Sequence, residues 1–410
     1  MNDNHPIELS PAKKFIFSLT AFFLLILILL IINEIIFRMI KGPPNSLFSI
    51  TQIEKDYLFK PNSVMEKQTS SVPGEFCYTT HINKYGYRGA DFSLSKEQDK
   101  LRIFAVGDSF TFGVGAEDNE TIPYLIEQGL IKKNIKAEVI NAGIGHASPI
   151  THYVNLRDIH LSYQPDAVLL LLDLTDIQDD WRHEQNAVYD QQGKITHFDP
   201  TYINGKRDWW RTLVYYSASF HHLNKKVVRS WQKLRLLGFK HYTQIKKDGE
   251  RAKGVIATSK DGVFPDNAVL EYDGLLFLRG KEKERLIRQQ WQRTAKYIDK
   301  IKSLLDEHQI PMILVIYPYG IYVGADQWDE GRKTWGFEAN KLYTDHLAFE
   351  IVETYAKENN IPFINTLDEF LKAENKKYFF DWDGHMTPDG YKIVAQTILN
   401  HPNFQQWLNK

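Results

Sequence analysis

Short apolar runs alternate with amphipathic segments from about residue 101 onwards, and this alternation limits the possible folds more than any other feature of the chain. The predicted strands are short and apolar: 103–106, 138–140, 167–172, 312–317 and 362–364. The predicted helices lie between or after them: 122–131, 150–163, 282–308, 346–359 and 390–399. Strands that alternate with helices predict an α/β fold, with a parallel sheet of about five strands covered by helices on both faces.

The N-terminal segment differs from the rest of the chain and predicts a membrane anchor. Residues 15–32 are apolar except for Ser18 and Thr20. At a rise of about 1.5 Å per residue, this run nearly spans a bilayer core of about 30 Å, and residues 33–37 extend it into the interface. A cleaved signal peptide is the alternative, but the run exceeds the usual apolar length of about 7–15 residues and lacks small residues at a cleavage spacing. We therefore expect residues 15–37 to form an uncleaved anchor.

The charges beside this anchor leave its orientation open. Lys13 and Lys14 precede the apolar run, and Arg38 and Lys41 follow it. Each side thus has two positive residues, and the positive-inside rule does not decide the orientation. The short tail of residues 1–14 carries no domain, which fits a cytoplasmic N-terminus. We expect a single-pass inner-membrane protein whose large C-terminal part lies outside the cytoplasm.

Charged residues are balanced over the whole chain. Lysine and arginine number 50 and aspartate and glutamate number 51, which gives a formal net charge of -1. No overall positive field attracts nucleic acid, and we exclude it as a partner. The one cysteine, Cys77, excludes an intramolecular disulfide and a multi-cysteine zinc site, and we expect an ordinary buried or partly buried thiol and not a nucleophile.

Two segments depart from the alternating pattern. Residues 42–100 are turn-rich and begin with the helix-breaking stretch 42–46, which indicates a linker and lead-in before a domain spanning 101–400. Between residues 181 and 280 the alternation lapses, which predicts an insertion with a helix at about 208–236.

The insertion is rich in aromatic residues with basic residues between them: Trp209, Trp210, Tyr215, Tyr216, Phe220 and Trp231. Two interpretations stay open. We favour a helical, aromatic cap whose rings pack on the core. The alternative is an aromatic wall over a site, suited to stacking on sugars or holding an acyl chain.

A serine follows the first strand of the alternating region, in the sequence Gly-Asp-Ser-Phe-Thr-Phe-Gly of residues 107–113. Parallel sheets hold their ligands beyond the carboxyl ends of their strands, so Ser109 lies where a nucleophile could act. Gly107 permits a tight turn, and the helix that follows offers free backbone N–H groups. The alternative is a loop serine that only caps a helix.

A second polar group lies near the C-terminus, on a loop before the last predicted helix. A serine hydroxyl is a weak nucleophile and needs a base within hydrogen-bond reach. His385 suits that role because imidazole titrates near neutrality. Asp383 can fix the histidine tautomer and stabilise the imidazolium. An Asp-Gly-His sequence by itself usually indicates only a turn. With Ser109 at the same edge of the sheet, it predicts a charge-relay set of serine, histidine and aspartate.

Gly-Asp-Ser early in the alternating region and Asp-x-His late in it resemble the motifs of the SGNH, or GDSL, hydrolase superfamily. The resemblance covers about residues 101–399, with 181–280 as an insertion. Residues 82–89, Ile-Asn-Lys-Tyr-Gly-Tyr-Arg-Gly, also resemble an element of bacterial membrane-attached members. The resemblance implies a flavodoxin-like three-layer α/β/α sandwich and ester hydrolysis or acyl transfer without a cofactor. It makes Ser109 and His385 the marker serine and histidine.

The other marker residues of that family form the oxyanion hole, and here they differ. Residues 141–146 match the second block, but His146 takes the usual place of the donor glycine, and Gly145 stands one residue earlier. A backbone N–H from either can serve. Thr175 stands where the third block usually has asparagine, so a hydroxyl replaces an amide donor. The resemblance thus implies an oxyanion hole of Ser109, Gly145, His146 and Thr175.

The acid of the last block is also displaced. The family commonly has aspartate three residues before the histidine, and that place is Trp382 here. Asp383 is therefore the better acid, with Asp381 as the fallback.

A metal site is the other chemistry to consider. Four carboxylates cluster after the predicted strand 167–172: Asp173, Asp176, Asp179 and Asp180. Hard cations bind such oxygens, but the spacing fits no EF-hand loop. We interpret the cluster as a solvated acidic loop and expect no metal.

Three functions from different classes stay open. The favoured one is a serine-dependent esterase or O-acyltransferase that acts on acyl esters, most simply acetyl esters, of a cell-surface glycan. The second is a lipase-like enzyme acting on membrane lipid. The third is a catalytically weak carbohydrate-binding protein that keeps the SGNH fold, for which the departures at Thr175 and His146 argue.

Overall fold

The computed structural model describes residues 10–41, 58–228 except 71 and 73, six positions between 230 and 243, and 273–409 except 375. Three predicted features fall wholly or partly outside these residues. They are most of the tail 1–14, the helix-breaking stretch 42–46 and residues 244–272 of the insertion.

Eleven strands occur in the described part of the chain. They are β1 (Val64–Thr69), β2 (Cys77–His81), β3 (Leu101–Gly107), β4 (Ala137–Gly143), β5 (Ala167–Leu172), β6 (Ala187–Tyr189), β7 (Ile195–Phe198), β8 (Tyr202–Ile203), β9 (Lys206–Arg207), β10 (Met312–Ile316) and β11 (Phe363–Asn365). Five of them form one sheet in the order β11–β10–β5–β3–β4, and every neighbouring pair in it is parallel. The predicted five-stranded parallel sheet is confirmed.

The α-helices complete the chain order. They are α1 (Pro11–Lys41), α2 (Ser109–Phe112), α3 (Ile122–Lys132), α4 (Pro149–Asp158), α5 (Asp176–Asn186), α6 (Trp209–Tyr216), α7 (Ala218–Leu223), α8 (Glu284–Glu307), α9 (Gly320–Val323), α10 (Leu347–Glu358), α11 (Leu367–Lys372), α12 (Pro388–Asn400) and α13 (Pro402–Leu408). Short 3-10 helices lie at Asp118–Glu120, His160–Tyr163, Leu276–Lys283 and Gly331–Trp335, and a π-helix lies at Asn224–Val228.

The centre of the sheet is the core of the domain. All six residues of β5 are buried, as expected of a parallel strand covered on both faces. Leu170 pairs with Leu314 of β10 on one side and with Val106 of β3 on the other. Truncation of such a fully buried leucine to alanine costs about 2–5 kcal/mol of folding free energy, because its apolar contacts are lost and a cavity remains.

Helices cover both faces of this sheet. β4 and β5 flank β3 on opposite sides, so the right-handed crossovers through α3 and α4 place these two helices on opposite faces. On the α3 face, α12 packs so closely that a Cβ at Gly129 would lie 2.2 Å from Leu399. On the other face, α8 buries one stripe that includes Ile287, Trp291 and Ile298. The result is the three-layer sandwich that the sequence predicts.

Helix α1 stands apart from this core over most of its length. It runs unbroken through the predicted anchor, and it is long and apolar enough to cross a membrane. None of its apolar stretch is buried inside the described protein, so these side chains do not pack against a protein core. By length and apolar composition, the helix fits a membrane anchor or a signal sequence.

The lead-in before the sandwich is folded against it. β1 and β2 form an antiparallel hairpin, and the following element bridges from Arg88 to Asn141 on the free edge of β4. The Asn83 side chain accepts the backbone N–H groups of Tyr85 and Tyr87 and holds the turn between them. Cys77 is exposed, so the expectation of a buried or partly buried thiol is wrong.

The insertion contains two short hairpins, β6–β7 and β8–β9, followed by α6 and α7. The predicted continuous helix at 208–236 is wrong in this part. Ser217 has an extended backbone, with φ -116° and ψ 122°, and ends α6. Its hydroxyl accepts the N–H of Phe220 at 3.2 Å and caps α7, which is the local competition with helix continuation that serine offers.

Candidate active site

The turn between β3 and α2 presents Ser109. β3 ends at Gly107 and α2 begins at Ser109, with Asp108 accepting the N–H of Phe110 at 2.9 Å as the helix cap. A Cβ at position 107 would lie 2.1 Å from the Thr111 hydroxyl and 2.9 Å from a backbone oxygen of β5. The tight turn that projects Ser109 beyond the sheet therefore requires glycine at 107.

The structure brings Ser109, His385 and Asp383 together from opposite ends of the domain. His385 Nε2 lies 2.8 Å from Ser109 Oγ, within the reach required of a general base. Its other ring nitrogen, Nδ1, is hydrogen-bonded to the Asp383 carboxylate. The imidazole thus connects a hydroxyl on one side with a carboxylate on the other, the arrangement that transfers a serine proton.

The surroundings favour the ionised form of Asp383 and fix the orientation of the His385 ring. Burial alone would raise the pKa of Asp383, but the hydrogen bonds and charge of His385 outweigh it and hold this pKa below its ordinary value. The side chains of His385 and Asp383 are 21% and 20% exposed, so a ligand can still reach them. The Phe110 ring packs on the imidazole at a centroid distance of 4.7 Å. His385 is therefore held from three sides.

The loop that carries Asp383 and His385 requires glycine at its central position, 384. Gly384 has a φ of 90°, and a Cβ there would lie 2.7 Å from the Trp328 indole. The fallback acid, Asp381, points elsewhere, because its carboxylate pairs with Lys377 at 2.8 Å. Asp383 is the aspartate that contacts the imidazole.

Glu75 in the lead-in contacts the same loop, and the sequence did not single it out. Its carboxylate accepts the N–H of Trp382 at 2.6 Å and the N–H of Asp383 at 3.2 Å. The Ser70 hydroxyl donates to the same carboxylate at 2.6 Å. No motif in the sequence marks a glutamate whose partners are backbone groups more than 300 residues away.

Arg88, in the lead-in element 82–89, holds the segment that follows the Ser109 turn. Its buried guanidinium donates at 2.8 Å to the carbonyls of Phe112 and Gly113 and at 2.6 Å to that of Ala116. Its Nε pairs with Asp118 at 2.8 Å. These bonds fix the segment directly after α2, so the lead-in supports both loops of the site.

Three backbone N–H groups beside Ser109 form a candidate oxyanion hole. A Cβ at Gly143 would lie 2.1 Å from Phe112 N, and Ile144 N donates to the Gly107 carbonyl at 3.0 Å, so the segment after β4 lies against α2. Within the described residues, the N–H groups of Ser109, Gly145 and His146 have no protein acceptor. His146 has a φ of 59°, so its backbone is left-handed where the resemblance expects glycine.

Thr175 lies at the start of α5, and its hydroxyl is already engaged. The hydroxyl donates to the Asp173 carboxylate, and the backbone N–H of Thr175 donates to the same oxygen at 3.2 Å. Tyr319 also donates to this oxygen, at 3.2 Å. The Thr175 hydroxyl is therefore engaged by Asp173 in the resting structure.

The acidic cluster is buried, so its interpretation as a solvated loop is wrong. All four carboxylates are at most 6% exposed: Asp173, Asp176, Asp179 and Asp180. Neighbouring groups satisfy them only in part: Asp180 accepts the N–H of Ile150 at 2.9 Å, and Asp179 pairs with Arg182 at 2.9 Å. One oxygen each of Asp173, Asp176 and Asp180 is buried without a hydrogen-bond partner among the described residues. Burial and the neighbouring Asp108 charge raise the pKa of Asp173 well above its ordinary value. Among the described residues, no three His, Cys, Asp or Glu side chains are placed to hold a metal ion.

Comparison with known proteins gives structural likeness only. No protein-family model and no curated protein matches the chain. Among solved structures, it is similar to an acetyl xylan esterase, with 16% identity over 73% of this chain and 98% of that one and a TM-score of 0.35. A GDSL-like lipase from Bacteroides thetaiotaomicron has 13% identity, covering 78% and 92%, with a TM-score of 0.32. A two-domain esterase active on acetylated mannans has 12% identity, covering 76% and 50%, with a TM-score of 0.32.

Proposed function

We propose that this chain is a serine-dependent esterase or O-acyltransferase of the SGNH type, with Ser109 as nucleophile, His385 as general base and acid, and Asp383 as its orienting carboxylate. The observation that carries the proposal is the 2.8 Å approach of His385 Nε2 to Ser109 Oγ, with Asp383 on the opposite ring nitrogen. A histidine that only filled a turn would not be bound on both nitrogens in this order.

The acylation step follows from these positions. Ser109 Oγ attacks the ester carbonyl while its proton passes to His385 Nε2, and the carbonyl oxygen becomes an oxyanion. Asp383 stabilises the imidazolium that forms. When the tetrahedral intermediate collapses, the ester C–O bond breaks, His385 returns the proton to the leaving alcohol, and the acyl group stays on Ser109.

Deacylation repeats the sequence with a second nucleophile. Water, or a hydroxyl of an acceptor sugar, gives its proton to His385 and attacks the carbonyl of the acyl-serine. When this second intermediate collapses, the bond from the acyl carbon to Ser109 Oγ breaks, His385 returns the proton to Ser109 Oγ, and the acid or the new ester leaves. Backbone donors stabilise the oxyanion in both steps, from Ser109 and from Gly145 or His146. Thr175 could add a third donor only by turning its hydroxyl away from Asp173.

The proposed substrate is an acyl ester, most simply an acetyl ester, of a cell-surface glycan. This part of the proposal rests on the anchor: α1 tethers the site to a membrane, and an N-terminus in the cytoplasm leaves the sandwich on the outer side. A reporter that is active only outside the cytoplasm, fused after Lys410, should be active. Activity of a cytoplasm-only reporter at the same position would reverse this topology.

A catalytically weak binding protein is the second candidate, and Thr175 favours it. Loss of one oxyanion donor raises a reaction barrier by about 2.7–4 kcal/mol. Since the hydroxyl at this position is bound to Asp173, the cleft has one donor fewer than the family pattern supplies.

Fluorophosphonate labelling of the full-length chain in detergent separates the two candidates. The reagent bonds to an activated serine and needs no natural substrate. The wild type should be labelled, Ser109→Ala should not, and Asp381→Asn should be labelled like the wild type because Asp381 pairs with Lys377. A wild-type chain that takes up no probe and hydrolyses no aryl acetate would favour the binding protein.

A further inference from the structure

One stripe of helix α6 faces away from the protein. Trp209, Leu213 and Tyr216 are spaced by four and three residues, which places them on one side of a helix. They are 70%, 37% and 55% exposed. Exposed apolar side chains continue along the insertion at Leu223, Val227, Trp231 and Phe239. Contiguous exposure of this kind marks an interaction surface.

The other side of the same helices is fixed to the protein. The Trp210 indole donates to Asn224 at 3.2 Å and its ring packs edge-on against Phe220, which joins α6 to α7. Arg211 donates to Asn186 at the end of α5 at 2.7 Å. The exposed stripe therefore has a set direction, and its rings do not pack on the core as the favoured sequence interpretation expected.

The membrane helix sets the position of this stripe. Glu34 of α1 accepts the Ala218 N–H at 2.8 Å and the Ser217 hydroxyl at 2.6 Å, at the start of α7. Arg38 donates to the carbonyl of Tyr216 at 2.7 Å, and the Phe37 ring packs on His222 at 5.4 Å.

These contacts place α6 and α7 at one end of the span. Glu34 follows the apolar run 15–32 by two residues, so it lies where the hydrocarbon core gives way to the polar headgroups. Tryptophan and tyrosine are enriched at this depth because their rings are apolar and their N–H and O–H groups are polar. Trp209 and Tyr216 are of these two types.

Exposed basic side chains accompany this stripe among the described residues, at Lys206, Arg207, Lys226 and Arg235. From residue 201 to residue 247 the sequence contains eleven lysines and arginines and one acidic residue, Asp208. The formal net charge of the whole chain is -1, so the positive charge is concentrated in this part of the insertion. Basic residues beside a membrane span attract the anionic headgroups of the leaflet that they face.

We propose that α6 and α7, with the exposed basic residues Lys226 and Arg235 after them, form a membrane-contact surface, and that its occupant is the anionic headgroup layer of the membrane that α1 spans. The inference rests on the anchor in the proposed function and not on its chemistry. With α1 and the stripe both held by lipid, the sandwich has a fixed tilt and height. The candidate site then meets acyl esters at a set distance from the bilayer, and the insertion is not a sugar-binding wall.

Depth-dependent quenching in the full-length chain tests this. Four variants on a Cys77→Ser background each carry one cysteine: Trp209→Cys, Tyr216→Cys, Leu24→Cys and Leu371→Cys. Each cysteine is labelled with a small fluorophore, and the protein is placed in vesicles of phosphatidylethanolamine and phosphatidylglycerol. Leu24 lies mid-span and Leu371 is an exposed leucine on α11. Lipids with a quencher near the headgroup should quench labels at 209 and 216 about threefold more than at 371, because interfacial helices lie about 5–10 Å into this boundary.

The outcomes separate the anchor from the surface. If position 24 is quenched as a buried site while positions 209 and 216 are quenched no more than 371, the proposed membrane-contact surface is refuted and the membrane span by α1 is supported. No quenching at position 24 would overturn both. Vesicles of phosphatidylcholine alone should weaken quenching at 209 and 216 and leave position 24 unchanged, and equal quenching in both lipids would contradict the anionic preference. Aryl acetate hydrolysis in the same vesicles reports the chemistry independently.

Discussion

The Glu75 carboxylate accepts the backbone N–H of Trp382 at 2.6 Å and so ties the lead-in to the loop that carries Asp383 and His385. The two residues are separated by 307 positions in sequence. Glu75 does not touch the imidazole in the described contacts, so we regard it as a positioning residue. It acts through the backbone N–H groups of Trp382 and of Asp383 itself.

Glu75→Ala should lower kcat for an aryl acetate by about ten- to a hundredfold, because a displacement near 1 Å in a catalytic loop can cost about 10²-fold. KM and the midpoint of thermal unfolding should change little. Glu75→Gln should recover part of the rate, since its amide oxygen can still accept the Trp382 N–H. The measurement is steady-state kinetics with parallel thermal unfolding.

Glu66→Ala is the matched control, since Glu66 is an exposed glutamate on β1 of the same hairpin. It should match the wild type in both measurements. If Glu75→Ala loses stability and rate together and Glu75→Gln recovers neither, Glu75 supports the fold and does not position the loop.

The central sheet and the Ser109, His385 and Asp383 set could be predicted because each leaves a local signal. Buried parallel strands are continuous apolar runs, and the nucleophile turn needs Gly107 directly before it. Glu75 could not be predicted, because its partners are N–H groups that every residue carries. Helix periodicity also missed the break at Ser217, where one hydroxyl caps the next helix.

The buried carboxylates show a second limit of sequence reasoning. Four aspartates within eight residues have the composition of an exposed loop. Their burial depends on partners from other elements, such as the Ile150 N–H at the start of α4 and the Tyr319 hydroxyl after β10. Only the assembled sheet brings these donors to the carboxylates.

The catalytic set should behave as one unit in mutagenesis. Ser109→Ala and His385→Ala should each remove nearly all turnover, and the double variant should lose little more, because each residue acts only through the other. Asp383→Asn should cost less than either, about 10⁴-fold, through the wrong imidazole tautomer. Turnover of an aryl acetate measures all four variants. Additive losses in the double variant would mean that the two residues act separately.

A buried histidine should make the fold sensitive to acid. Burial lowers the pKa of His152 to about 3, so the folded state holds it neutral while the unfolded chain protonates it near its ordinary value. Its stabilising contribution is complete above about pH 6.5 and is lost as the pH falls toward 3, by about 1.4 kcal/mol per pH unit. In denaturant unfolding, the free energy of unfolding of His152→Gln should therefore rise relative to that of the wild type as the pH falls from 6.5 to 4.5. A difference that stays constant with pH would contradict the buried neutral imidazole.

Asp180 should show the opposite dependence. Burial raises its pKa to about 7, so the folded state keeps the proton that the unfolded chain releases near pH 3.8. The contribution of Asp180 to folding stability then falls as the pH rises from about 4 to 7, where the folded form also ionises. Asp180→Asn keeps an oxygen for the Ile150 N–H and removes the titration. Its stability relative to wild type should rise with pH over this range, and a flat or falling difference in unfolding free energy would refute the prediction.

Thr175 gives the closest test of the oxyanion hole. Its hydroxyl donates to Asp173, so Thr175→Val should lower kcat by less than about tenfold, whereas loss of a working oxyanion donor lowers it by about 10²–10³-fold. The variant should lose about 1.5–3 kcal/mol of folding free energy, because a hydrogen bond to a buried carboxylate is removed.

Thr175→Asn separates the two roles of this position. It places an amide where the family pattern has one, so kcat should rise if the site lacks a donor and the longer side chain reaches the oxyanion. KM should stay near the wild-type value, because the bond to the oxyanion strengthens only as negative charge develops. A hundredfold loss of kcat in Thr175→Val at unchanged KM would instead mean that the wild-type hydroxyl leaves Asp173 in the transition state. In that case, the residue is an oxyanion donor despite the geometry of the resting site.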